Sequence, residues 1–165
     1  MSYFTLFVAL LVMSTAASAA SSSAPKRKSG LWEIKISSAQ GQGIPAMQQC
    51  VDEKSDDIMK GDPNQGSCSK SEFRKEGERM IHDTVCNVSG STARTRSVLS
   101  GRLDSAYKVE STSTYEPPLH GIHETTTVID AKWLGPCAPG QRAGDVLMPG
   151  MPNINMEDMM KNMPR

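Results

Sequence analysis

Four cysteines, Cys50, Cys68, Cys86 and Cys137, constrain this chain more than any other feature. All four lie downstream of "MSYFTLFVALLVMSTAASAA", whose apolar run from Phe4 to Met13 gives way to small residues ending in Ala17-Ser18-Ala19. That arrangement reads as a secretory signal peptide over residues 1–19, cleaved after Ala19. The run is too short for a bilayer-spanning helix, which takes about 20 residues, so no stable membrane anchor is expected after cleavage. An even cysteine count in an exported chain reads as two disulfides, with three connectivities to choose from. The spacings of 18, 18 and 51 residues contain no C-x-x-C pair, which disfavours the competing zinc reading.

Cleavage leaves 146 of the 165 residues, enough for one domain and not comfortably for two. Eighteen basic and eighteen acidic side chains cancel, so no generic attraction to nucleic acid is expected. Lys26-Arg27-Lys28 sits among Ser and Pro in residues 20–29, which read as a solvated linker. Aromatic residues make up 5% of the chain, and Phe4 and Phe7 leave with the signal. So small a core calls for covalent support.

From Gly30 the pattern is that of strands. In "GLWEIKIS", Trp32, Ile34 and Ile36 alternate with Glu33, Lys35 and Ser37, as on a half-buried strand. "SAQGQGIPAMQQC" reads as a loop leading to Cys50, and Ser55 with the following acidic residues predicts one short helix near residues 55–60. "CSKSEFRKE" and "RMIHDTVCNV" flank Glu76-Gly77-Glu78, a hairpin connection. If those three residues form the loop, the register brings Cys68 opposite Cys86, leaving Cys50 for Cys137. "STARTRSVLSG", "LDSAYKVESTSTYE" and "GIHETTTVIDAKWLG" follow as further strands, interrupted at Pro117-Pro118. Six strands in near-consecutive order predict a mainly β fold, an antiparallel meander forming a curved sheet or incomplete barrel over residues 30–140.

The order of "GLWEIKI", "GIPAMQQC", "GSCSKSEF", "MIHDTVCNV" and "WLGPC" resembles the domain of unknown function 3617 family of small exported bacterial proteins. The resemblance covers about residues 30–137. It implies a periplasmic, disulfide-bearing β domain of a Gram-negative bacterium, and no activity or site residue. Met-Pro-Gly-Met-Pro, which such proteins often carry near the first cysteine, here lies at Met148 to Pro152, beyond the last.

Candidate chemistry is sparse. His120-Gly121-Ile122-His123 could present two imidazoles to one ion if the segment turns, but on a strand residues three apart face opposite ways. No G-x-S-x-G elbow, Walker loop or dinucleotide loop occurs, and Asp56-Asp57 is explained by the start of a helix. No catalytic residue and no cofactor is therefore assigned, and the chain is read as a non-enzyme.

Residues 141–165 form a Met-rich tail, disordered or a short helix, holding Met148, Met151, Met156, Met159, Met160 and Met163. The last four recur at helical spacing behind a capping Asn155 and before Pro164. An apolar stripe of about two turns needs a cover: its own sheet, a protein partner, or a soft metal such as Cu(I) or Ag(I) held by thioethers, with His120 or His123 as added ligands. The expectation is an exported, periplasmic or secreted, interaction or binding module, with soft-metal binding as the alternative.

Overall fold

The computed structural model describes residues 24–38, 43–52, 56, 67–155, 158, 159 and 162. Among them run nine strands: β1 (Gly30–Ser38), β2 (Gly43–Val51), β3 (Cys68–Glu76), β4 (Arg79–Val88), β5 (Ser91–Arg102), β6 (Ala106–Leu119), β7 (Ile122–Gly135), β8 (Asp145–Leu147) and β9 (Ile154–Asn155). They form one antiparallel sheet in the order β3-β4-β5-β6-β7-β1-β2-β8-β9, not closed into a barrel. The meander runs from β3 to β7 through tight turns, and β1 then docks on the far side of β7. Where two-residue turns require positive φ at both positions, the chain supplies Ser89-Gly90 and His120-Gly121.

The predicted alternation places Trp32 and Ile34 on one face with Leu99, Tyr107, Val109, Ala131 and Val51, and these seven form the core. Trp32 is fully buried and meets Tyr107 with ring centroids 5.4 Å apart. We call this the inner face. The opposite, outer face carries the charged partners of the same strands, among them Arg74, Arg96 and Asp83.

Several expectations change. The segment before Cys50, read as a loop, is strand β2, paired with β1 from Ser37↔Gly43 to Gly30↔Val51. β2 accommodates Pro45 because the register skips between Ile34↔Met47 and Ile36↔Ile44, and an irregularity of that kind tolerates a missing donor. Residues 27–29, assigned to a solvated linker, belong to the domain: Arg27 is 5% exposed, Lys28 N–H donates to Leu103 O at 2.8 Å, and the indoles of Trp32 and Trp133 donate to Lys28 O and Ser29 O. Lys28 Nζ lies 3.6 Å from the centre of the Trp133 ring.

The sheet also continues into the segment read as a disordered or helical tail. β8 pairs with β2 at Gln48↔Leu147 and Gln49↔Val146, and β9 adds to β8. Buried Asp145 holds this corner by accepting from Arg142 N–H at 2.8 Å and Asn155 Nδ2 at 2.6 Å. Those bonds keep its carboxyl below the usual range, the Arg142 N–H foremost. Asn155 Oδ1 in turn accepts from Asp158 N–H at 3.1 Å, an N-cap bond that starts a helical turn. The helix expected near residues 55–60 lies outside the described residues, apart from Asp56.

Disulfides join Cys68 to Cys86 and Cys50 to Cys137. The first crosses β3 and β4; the second ties β2 to the chain beyond β7.

Candidate functional site

The sheet register sets out the inner face strand by strand. Below the apolar core, one row crosses five strands as Phe73, His82, Ser97, Ser111 and Thr127. The next row is Ser71, Thr84, Thr95, Ser113 and Thr125. Four interstrand steps make the platform about 19 Å wide. Side-chain bonds link its members: Ser97 Oγ to Ser111 Oγ at 2.8 Å, Thr95 Oγ1 to Ser113 Oγ at 2.8 Å, and Tyr115 OH to Thr125 Oγ1 at 3.2 Å. His82 Nε2 and Ser71 Oγ, 3.0 Å apart, connect the two rows.

Exposure separates the two faces of the same strand. Along β6, Ser111, Ser113 and Tyr115 are half-buried while Glu110, Thr112 and Thr114 are exposed. The outer row between the two inner ones reads Glu72, Asp83, Arg96, Thr112 and Thr126. Charge is thus concentrated outside, where Asp83 pairs with Arg74 and Arg96, and the two inner rows hold only neutral groups.

His82 is kept neutral by its surroundings. It is buried and stacked on Phe73 with centroids 3.9 Å apart. Burial pushes its imidazole below the usual value, against the pull of Asp83. The Ser71–His82 contact has the reach of a nucleophile and its base. The adjacent carboxylate, Asp83, serves the outer face, so the strand supplies no third member to orient the ring.

At the other end of the inner face, Arg27 meets Asp56. Arg27 Nε donates to Asp56 Oδ1 at 2.8 Å, its backbone N–H donates to Asp56 Oδ2, and Nη1 reaches Tyr107 OH at 3.4 Å and Gln49 Oε1 at 3.3 Å. Asp56, read as part of a helix start, is the buried counter-charge of Arg27, both side chains being almost fully covered. This pair seals the core. Burial pushes the Tyr107 hydroxyl above its usual value.

Of the residues singled out as metal ligands, His120, His123, Met148, Met151 and Met159 fall among the described residues. His120 takes the positive-φ position of the β6–β7 turn, and His123 follows it on β7. Leu147 shares a register row with Gln48, Glu33 and Lys132, and His123 lies nine residues along β7 from Lys132, about 30 Å. The histidines are therefore not brought to Met148. Met151 and Met159 are 58% and 42% exposed; Met156, Met160 and Met163 lie outside the described residues. Among the described residues, no group of three or more His, Cys, Asp or Glu side chains converges as metal ligands.

The hydroxyl rows and the Arg27–Asp56 pair went unnoticed in the sequence. The alternation of Tyr107, Val109, Ser111, Ser113 and Tyr115 was visible, but its neighbours across the sheet depend on register.

A family model described as "Protein of unknown function (DUF3617)" matches residues 27–137. The match opens at buried Arg27 and closes at disulfide-bonded Cys137. No curated protein and no solved structure matches the chain.

Proposed function

The chain belongs to the DUF3617 family of proteins of unknown function, and from that premise we propose that it is a non-catalytic binding module that takes its ligand on the inner face of the sheet. One observation carries this reading: two adjoining rows of uncharged side chains, eight of the ten bearing a hydroxyl, flank the apolar core on the face opposite the charged one. Hydroxyls left facing solvent beside a core are poor packing material and good ligand contacts. Its working place is an exported, oxidising compartment, the periplasm or the outside of the cell, consistent with two disulfides and no free cysteine among the described residues.

Native mass spectrometry of protein recovered from the exported fraction of its own host tests the reading. The expected result is a bound species lost in Ser111→Arg and kept in Thr112→Arg, its outer-face neighbour. Loss in both variants, or in neither, would count against the inner face.

The exposed thioethers of Met151 and Met159 favour a second reading, in which the C-terminal segment docks an apolar protein partner or holds Cu(I) or Ag(I). A Cu(I) competition titration on the full chain and on Met151→Leu/Met159→Leu tests the metal arm. Equal affinity in the two proteins removes it.

A further inference from the structure

We infer that the ligand of the inner face is a neutral oligosaccharide, bound across the two hydroxyl rows on β4–β7. The inference rests on the binding-face reading above and adds the ligand's chemistry.

Charge comes first. The ten positions of the two rows carry no formal charge, while the intervening outer row carries Glu72, Asp83 and Arg96. An anionic or cationic ligand lying on these two rows would give up its hydration and meet no counter-charge within them. A neutral ligand incurs no such penalty.

Hydrogen-bond capacity comes second. A hydroxyl brings one donor and two acceptor lone pairs. The pairs Ser97–Ser111 and Thr95–Ser113 each spend one donor and one lone pair on their mutual bond at 2.8 Å. Each pair keeps one donor and three acceptor sites. A purely apolar ligand would cover these groups and leave them unsatisfied, which costs about 1–3 kcal/mol for each buried group. A polyol offers donors and acceptors in kind, and neighbouring sugar hydroxyls can engage both members of a pair.

Shape comes third. From β4 to β7 the platform spans three interstrand steps, about 14 Å, too wide for a single small polyol and suited to several linked sugar units. Half-buried Tyr115 stands at its edge, its hydroxyl anchored on Thr125, and an aromatic ring there matches the apolar C–H face of a sugar.

The test is an amide chemical-shift titration of the isotope-labelled exported protein with cellohexaose, chitohexaose and maltohexaose, and separately with decanol as an apolar probe. The expected result is saturable shifts on β4–β7 with at least one oligosaccharide, weakened at least tenfold in Ser97→Ala/Ser113→Ala and retained in Ser97→Thr/Ser113→Thr. The same spectra report whether each variant is folded. Inner-face shifts with decanol alone would overturn the sugar and leave the binding face standing. Shifts confined to β2 and β8, or none with any probe, would overturn both.

Discussion

Cys68 stands opposite Cys86 even though the hairpin that carries them turns one residue too early to put it there. The pairing Glu76↔Arg79 leaves only Gly77 and Glu78 in the turn, and an unbroken register would set Cys68 against Asn87. Between Cys68↔Cys86 and Lys70↔Val85 the chain inserts Ser69 as an unpaired residue, which restores the match. A three-residue loop predicted the right partners by a different route.

Deleting Ser69 should therefore keep the Cys68–Cys86 disulfide, because the regular ladder then brings Cys68 opposite Cys86 without the bulge. Non-reducing peptide mapping of the deletion variant checks this. Free Cys68 or a rearranged bridge would show that the bulge does more than correct the count.

Asp56→Ala should destabilise the fold by about 3–5 kcal/mol, since it leaves the buried Arg27 guanidinium without its counter-charge. Replacing both partners, Arg27→Met with Asp56→Leu, should recover most of that loss. Urea denaturation of the three proteins decides; a double variant as unstable as the single one would mean that the pair's geometry, and not its charge balance, organises the corner.

The stability of the fold should depend on His82. Its folded pKa lies below the ordinary imidazole value, so the unfolded chain takes up the proton first. Its contribution is complete above about pH 6.5 and is lost as the pH falls from there through the lower folded value. Urea midpoints measured downward from neutral pH should show this limb, and His82→Gln should flatten it. An unchanged slope in the variant would assign the limb to other groups.

Gly30→Ala should cost more than about 1 kcal/mol. Gly30 has φ of 137°, and a Cβ there would stand 2.4 Å from both Gly135 O and Trp133 Nε1. The damage should appear at the β1–β7 seam, as faster amide exchange at Lys132, the register partner of Glu33. Gly77→Ala tests only the positive φ, because nothing lies within 4 Å of its Cβ position, and it should cost less.

Strands with a clean period of two were legible: Trp32, Ile34 and Ile36 on β1, and Tyr107 through Tyr115 on β6, face as their alternation predicts. β2 was hidden because glycine and proline mark loops, and the pairing that overrides them comes from a partner strand. β8 and β9, three and two residues long, are too short to show any period. The candidate site was harder still. Ser97 and Ser111 are 14 residues apart, Arg27 and Asp56 are 29, and single-chain patterning carries no information about which of many serines or acids will meet across a sheet.

The two disulfides set a problem of order. A chain threaded N-terminus first presents Cys50, then Cys68, 18 positions later, before Cys86 has emerged. Closing that first loop costs the same chain entropy as closing the native Cys68–Cys86 loop, also 18 positions. Oxidation in order of arrival would therefore favour the wrong bridge, and only the β3–β4 hairpin distinguishes the two. The partner of Cys50 is 87 positions away and arrives after β7. Efficient maturation then calls for either slow oxidation or a thiol–disulfide isomerase able to undo the early mistake.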